Sequence, residues 1–135
     1  NKNWAVAEDS SGTLYAGNDQ GLLEFDGLQW RLHKLPGASI VRSVVPISHD
    51  VIFTGGFEEF GRWDRDTSGT LKYTSLVPEQ PGDRFPDSDF WRIYATDERV
   101  LFQSFHEIYS YDYERVSRLP EGGGKEHALP VAGRR

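Results

Sequence analysis

Residues 4–36 read WAVAEDSSGTLYAGNDQGLLEFDGLQWRLHKLP. Short β-prone runs alternate in this stretch with three turn signals, which are Ser10-Ser11-Gly12, Asn18-Asp19-Gln20-Gly21 and Asp26-Gly27. Asp-Gly supplies the positive φ angles that a two-residue hairpin turn needs. The 33 residues therefore predict four short strands, and a meander of this size matches one blade of a β-propeller.

The same pattern returns twice along the chain. In a second copy, three residues lie 38 positions after residues of like type: Val44 after Val6, Phe53 after Tyr15 and Gly55 after Gly17. In a third copy the offset is 87: Trp91 after Trp4, Ile93 after Val6, Leu101 after Leu14 and Phe102 after Tyr15. Each copy also ends its third predicted strand with an aromatic residue and Asp, namely Phe25-Asp26, Trp63-Asp64 and Tyr111-Asp112. Repetition at this spacing, in β-rich copies, is typical of propellers.

We therefore predict an all-β chain that forms a partial β-propeller of about three four-stranded antiparallel blades. The blades are placed at residues 4–36, 40–78 and 90–120 of a segment 1–120, and residues 121–135 are interpreted as a linker or the start of a next copy. A four-stranded sheet with two apolar faces needs neighbours to cover them. Three copies therefore indicate part of a larger propeller, unless three-blade arcs pair with each other.

The four tryptophans receive different predictions. Trp4 and Trp91 occupy equivalent repeat positions, so we expect them to be buried between blades. Trp30 and Trp63 lie near the outer strands and are the weaker core assignments. Stacking on sugar rings is the functional alternative for all four.

Composition excludes several classes of function. The net charge is −6 and the basic residues are scattered, so direct nucleic-acid binding is not expected. The absence of Cys excludes disulfides, thiolate metal sites and a cysteine nucleophile. No apolar run approaches the roughly 18 residues that span a bilayer, so no membrane insertion by this segment is predicted. The chain contains no Met, so Asn1 is not expected to be a translational start, and either a leader was removed or the segment was cut from a larger protein.

Several groups suggest chemistry, but each has a plainer interpretation. The run Asp64 to Gly69 begins like a calcium loop, but its twelfth position is Ser75 instead of an acid, so a hairpin turn capped by Asx hydrogen bonds is favoured. Glu58 and Glu59 are adjacent in a predicted strand and would point to opposite faces, which disfavours a glycosidase pair. The histidines lack ligand spacing and are predicted to be solvated loop residues: His33, His49, His106 and His127. The sequence thus predicts no catalytic residue, no metal site and no cofactor.

The pattern Asp9-x-x-Gly12-x-Leu14-Tyr15-x-Gly17-x-x-x-Gly21-Leu22-x-x-Phe25-Asp26-Gly27 resembles the two-component-regulator propeller repeat of bacterial extracytoplasmic sensors. The runs 55–61 and 91–94 are similar to the first blades of such sensors, and the resemblance covers about residues 3–120. In that family the propeller is followed by a triple-tyrosine β-sandwich, a transmembrane helix and a histidine kinase or helix-turn-helix output domain. None of these lies in this chain, so signalling is implied for a parent protein.

The resemblance implies a non-catalytic, periplasmic sensor segment of a membrane-bound regulator, with a small molecule such as a carbohydrate as its signal. Its implied partners are the remaining blades and the downstream domains, and a homodimer is a further alternative. A propeller enzyme, either a lyase or a glycosidase, and a plain interaction scaffold are the rival functions. Propellers bind ligands at the loops of one face or in the central channel. Strand order therefore points to the following candidate ligand-binding residues: Asn18, Asp19, Gln20, Phe57, Glu58, His106 and Glu107.

Overall fold

The computed structural model describes residues 3–37, 40–78 and 88–119, and these form three sheets. Sheet 1 consists of β1 (Asn3–Glu8), β2 (Leu14–Asn18), β3 (Gly21–Phe25) and β4 (Trp30–His33). Sheet 2 consists of β5 (Val41–Pro46), β6 (Val51–Gly56), β7 (Glu59–Arg65) and β8 (Leu71–Ser75). Sheet 3 consists of β9 (Arg92–Ala95), β10 (Val100–Gln103), β11 (Ile108–Tyr111) and β12 (Val116–Arg118).

Each sheet is an antiparallel meander in which every strand pairs with the next one along the chain. The prediction of an all-β chain with three four-stranded antiparallel units is therefore confirmed. The three sheets do not close into a ring. The interpretation of residues 121–135 lies outside the described residues.

Aspartate side chains cap the hairpin turns, but Asp26-Gly27 does not supply two positive φ angles as predicted, because only Gly27 has one, at 101°. Asp26 accepts hydrogen bonds from the backbone N–H groups of Leu28 and Gln29, and Asp112 does the same two and three residues on. These backbone hydrogen bonds lower the pKa of both carboxyl groups. Asp64 differs because its carboxylate pairs with Arg62, and Asp66 caps the turn instead. The calcium-loop sequence is thus a hairpin turn.

Two turns share the motif Asp-x-Ser-Gly-Thr and the same hydrogen bonds. In residues 9–13 and again in residues 66–70, Oδ1 of the aspartate accepts hydrogen bonds from the serine N–H, the serine hydroxyl and the threonine N–H. The first turn joins β1 to β2 and the second joins β7 to β8. A local sequence therefore fixes the turn at two different places in a sheet, because all its hydrogen bonds are made within five residues.

Sheet 2 lies between the other two sheets and buries a different set of residues on each face. One apolar core joins it to sheet 1 through Tyr15, Leu22, Leu35, Val41, Val44, Ile52, Trp63 and Leu71. The other joins it to sheet 3 through Phe53, Phe60, Phe90, Val100, Phe102, Tyr109 and Tyr111. Ile52 and Phe53 are neighbours in β6 and serve opposite cores, as the alternation of side chains in a strand requires.

Glycine allows the sheets to approach closely at two equivalent positions. A Cβ atom on Gly17 would lie 2.7 Å from the carbonyl oxygen of Val41, at the start of the next sheet. A Cβ atom on Gly55 would lie 2.7 Å from the carbonyl oxygen of Phe90. Each glycine therefore receives the backbone of the following sheet, which explains why both copies carry it.

The third copy is out of register by one residue in its second strand. Five residues lie between the paired residues Glu8 and Leu14, but only four lie between Ala95 and Val100. The shorter turn places Leu101, not Phe102, at the position of Tyr15, and Phe102 faces back toward sheet 2. The predicted equivalence of Phe102 with Tyr15 was therefore wrong.

The predicted burial of the tryptophans was also wrong. Trp4 is 39% exposed and Trp91 is 41% exposed, whereas Trp63 is only 2% exposed and lies in the core between sheets 1 and 2. Trp4 is the second residue of β1 and Trp91 immediately precedes β9, while Trp63 lies within β7 on the face covered by sheet 1. Trp4 and Trp91 therefore have equivalent surroundings, as the repeat indicates, but these are at the exposed end of the sheets and not in a core.

Candidate functional site

The three sheets present one shared end that we call the upper end. It consists of the starts of β1, β5 and β9, together with the turns β2–β3, β6–β7 and β10–β11. A break in the strand register occurs there at Trp4, between Asn3 and Ala5, and again at Arg42, between Val41 and Ser43. Bulges of this kind redirect a side chain and are frequent beside functional sites. The two bulged residues come from neighbouring sheets and meet at this end.

A row of contacts crosses the upper end from sheet 1 to the segment before β9. The indole N–H of Trp4 donates a hydrogen bond of 2.7 Å to Oδ1 of Asp19. The guanidinium carbon of Arg42 lies 3.9 Å from the Trp4 ring centroid, which is a cation–π contact. Nε of Arg42 lies 3.3 Å from Oδ2 of Asp89, and Asp89 forms an isolated bridge with Phe57. Four of these five side chains are thus joined in one row, and Phe57 is connected to it through the backbone.

The turns of sheets 2 and 3 meet at the same end through Ser88. The backbone N–H of Glu58 donates to the carbonyl oxygen of Ser88 at 2.6 Å, and the Ser88 hydroxyl donates to Oε1 of Glu107 at 3.4 Å. Glu58 has a φ angle of 60°, so it lies in a turn and not in a strand beside Glu59. The strand geometry assumed for that pair was therefore wrong. Oε2 of Glu59 accepts a hydrogen bond from Tyr73.

Six of the seven predicted residues lie in the three turns of the upper end, and Asn18 is the last residue of β2 at the same end. Their surroundings differ. Asn18 is buried and bonded to Asn3, whereas Asp19, Gln20, Phe57 and His106 are exposed and Glu58 and Glu107 are partly buried. Sequence reasoning missed Arg42, Asp89 and Phe105, and it gave ligand stacking by Trp4 and Trp91 only as the alternative to burial. The ring centroids of Trp91 and Phe105 are 6.3 Å apart. The 38-residue offset between Trp4 and Arg42 was a signal that could have revealed Arg42.

A second polar cluster joins sheets 1 and 2 near the opposite end, which carries the β1–β2, β5–β6 and β7–β8 turns. Six side chains form one chain of contacts: His49 to Asp9 at 2.9 Å, Asp9 to Tyr15 at 2.7 Å, Tyr15 to Arg65 at 2.8 Å, Arg65 to Glu24 at 3.0 Å and Glu24 to His33 at 2.8 Å. We call it the inter-sheet network. Asp9 and Glu24 are the buried carboxylates, with side chains 0% and 4% exposed.

Hydrogen bonding within the network sets the charge of its members. Burial alone would raise the pKa of Asp9, but hydrogen bonds from Tyr15, Ser11 and His49 outweigh burial and hold that pKa well below its usual range. Burial and the hydrogen bond to Asp9 raise the pKa of Tyr15. Asp9 is therefore a carboxylate and Tyr15 a neutral phenol across the physiological range.

The network corrects two predictions about histidine. His33 lies in β4 with its Nε2 atom 2.8 Å from Glu24, and His49 contacts Asp9, so neither is simply a solvated loop residue. His106 is exposed as predicted, and His127 lies outside the described residues.

The carboxylates of the inter-sheet network are already paired within it. An open cavity of about 370 Å³ adjoins it and is lined by Glu24, Arg31, His33, Ser68, Gly69 and Thr70. Both carboxylate oxygens of Glu24 are already paired, one with Arg65 and one with His33. In residues 3–37, 40–78 and 88–119, three or more acidic or His side chains never come together in a way that could hold a metal ion. The same residues include no helix long and apolar enough to cross a bilayer.

Comparison with known proteins does not assign the chain to a family. No protein-family model matches the chain, and no curated protein matches it.

Proposed function

We propose that this chain is a non-catalytic recognition segment of a periplasmic β-propeller, belonging to a bacterial membrane-bound regulator of the two-component type. Its ligand contacts the upper end, and the parent protein passes the signal to a kinase or DNA-binding domain. The observation that carries this proposal is the aromatic and charged surface of that end. Trp4, Phe57, Trp91 and Phe105 are all exposed there, with fractions of 39%, 41%, 41% and 86%.

Exposed aromatic rings beside fixed polar groups suit a ligand with apolar faces and polar edges. The ring faces supply apolar contact, and Asp19, Arg42 and Asp89 place charged groups of both signs beside them. A sugar has this combination of surfaces, which agrees with the signal implied by the resemblance. Trp4 and Arg42 lie at bulges within β-strands, so their side chains are anchored on the sheets and not on loops.

The rival enzymatic function finds less support. A lyase or glycosidase needs acidic and basic groups that are poised to exchange protons with a substrate. In the part of the chain that the structure describes, the buried carboxylates Asp9 and Glu24 are instead held by partners on both oxygens. Such pairing stabilises the interface between sheets 1 and 2.

The proposal is tested by fluorine NMR of the chain labelled with 5-fluorotryptophan, which gives one resonance for each of its four tryptophans. The labelled chain is titrated with neutral oligosaccharides and with uronic-acid oligosaccharides up to millimolar concentration. We expect the resonances of Trp4 or Trp91 to shift with at least one class. Trp30 is the control because it is 54% exposed but lies on β4, away from the upper end.

Three results would contradict the proposal. The first is that no resonance moves with either class, and the second is that Trp30 moves as much as Trp4 and Trp91. The third is release of shortened sugar products during the titration, because that would indicate catalysis. Osmotic-shock fractionation of the producing bacterium tests the location, and a cytoplasmic chain would contradict the periplasmic assignment.

A further inference from the structure

The face of sheet 1 turned away from sheet 2 is apolar and uncovered by any other described sheet. Strand pairing places one acidic residue, Glu8, and the following apolar residues on it: Val6, Leu14, Ala16, Leu23, Phe25, Trp30 and Leu32. Val6 is 71% exposed, Trp30 is 54% exposed and Leu32 is 37% exposed. We call this surface the open face of sheet 1. Apolar surface of this extent usually marks an interaction site in a soluble protein.

The open face repeats, position by position, the face of sheet 2 that packs against sheet 1. Val6 corresponds to Val44, which is only 7% exposed, and Leu14 corresponds to Ile52, which is fully buried. The rings of Phe25 and Trp30 are 4.7 Å apart. At the equivalent positions of sheet 2, the rings of Trp63 and Tyr73 are 4.8 Å apart. The open face is therefore built as an interface of the kind already formed between sheets 1 and 2.

The two observed interfaces show what covers such a face. In both, the covering sheet carries on its second strand a large aromatic residue and, two positions later, a glycine. These are Tyr15 with Gly17 in sheet 1, and Phe53 with Gly55 in sheet 2. The aromatic side chain enters the shared core, and the glycine admits the backbone of the neighbouring first strand. We call this combination the aromatic-glycine signature.

The three described sheets of a second copy offer no free face with that signature. Its sheets 1 and 2 already use theirs against sheets 2 and 3. Sheet 3 carries Leu101 and Gln103 at the two positions. Gln103 has a side chain where Gly17 and Gly55 have none, so it obstructs the close backbone approach. The remaining residues of that face of sheet 3 include one apolar residue, Ile108, beside Arg92, Tyr94, Ser110 and Ser117, which are polar or only partly apolar.

We infer that the open face of sheet 1 is a docking surface for a further four-stranded antiparallel sheet bearing the aromatic-glycine signature, supplied from outside the three described sheets. The inference concerns assembly and does not depend on the ligand proposed for the upper end. It goes beyond the proposed function because it states the chemistry of the docking partner and argues against head-to-tail pairing of identical chains through their described sheets.

Cysteine labelling tests this inference cleanly because the chain contains no Cys. Val6→Cys is introduced into the chain and into an extended chain in which a copy of residues 3–39 precedes Lys2. The added copy brings its own Tyr15 and Gly17 to the open face. We expect the extended chain to slow thiol labelling at position 6 by about tenfold or more, because the thiol then reacts only when the sheets separate.

A matched extension distinguishes the effect of the aromatic-glycine signature from the effect of adding residues to the chain. In this control the added copy carries Tyr15→Leu and Gly17→Gln, the residues found in sheet 3, and labelling at position 6 should stay as fast as in the unextended chain. Leu28→Cys is the reference for reagent access, since Leu28 is 90% exposed in a turn, and its labelling should not change.

Several outcomes would overturn the inference. Unchanged labelling of Val6→Cys in the extended chain would show that the sheet does not dock. Equal slowing by both extensions would show that the signature does not matter. Slowing that increases with the concentration of the unextended chain, together with a dimer in sedimentation, would identify a second copy as the partner. None of these results would bear on the proposal that oligosaccharides bind at the upper end.

Discussion

Replacement of Arg65 by Met is expected to destabilise the chain strongly, because Arg65 is the centre of the inter-sheet network. Its guanidinium lies 3.0 Å from Oε2 of Glu24 and donates hydrogen bonds to the Tyr15 hydroxyl and to the carbonyl oxygens of His49 and Gly69. The side chains of Arg65 and Glu24 are 8% and 4% exposed. Removing one partner of a buried pair leaves an uncompensated charge and costs about 3 to 5 kcal/mol. This loss is a large part of the free energy of unfolding of a typical domain, which is roughly 5 to 15 kcal/mol.

The measurement is a urea titration at pH 7 followed by tryptophan fluorescence. Arg31→Met is the matched control, since Arg31 also pairs with a carboxylate, Asp26, at 3.1 Å, but with side chains 48% and 33% exposed. Exposed pairs contribute little, so this variant should unfold like the parent within experimental error. Adding Glu24→Gln to the Arg65→Met variant should recover part of the loss. The reasoning would be refuted if Arg65→Met lost less than about 1 kcal/mol, or if both arginine variants behaved alike.

Three further predictions concern packing and pH. Trp63→Ala should lower the free energy of unfolding by about 3 to 5 kcal/mol, because it leaves a cavity at a buried site, whereas Trp91→Ala should lower it by less than about 1 kcal/mol. Equal losses of stability in urea titrations would contradict the assigned burial. Gly17→Ala should lower the free energy of unfolding by about 1 to 3 kcal/mol, because the added Cβ would lie 2.7 Å from the carbonyl oxygen of Val41. Unchanged stability would mean that the sheets are not in close contact. The pKa of Asp9 is lowered in the folded chain, so its contribution is present above the ordinary value of 3.8 and is lost as pH falls below it. Asp9→Asn should therefore lower stability at pH 6 more than at pH 3, and a uniform loss would refute this assignment.

The strands and turns of this chain follow from local sequence. Asp26-Gly27 and the two Asp-x-Ser-Gly-Thr turns satisfy their own hydrogen bonds within a few residues, so they form wherever they occur. Short β-prone runs joined by such turns favour a meander. The sequence also placed the seven candidate ligand residues at one end of the sheets, because strand order alone determines which turns share an end. Whether these residues bind a ligand stays a prediction.

The sequence by itself determined an all-β chain with three four-stranded antiparallel sheets, because alternation and turn chemistry act over a few residues. The tertiary structure alone decided which aromatic side chains are buried. The repeat favoured burial of Trp4 and Trp91 over Trp63, but only Trp63 lies on a face covered by another sheet. The pairing of Glu24 with Arg65 and the contact of Trp4 with Arg42 join residues about 40 positions apart, and such contacts depend on how the sheets pack, which no local pattern specifies.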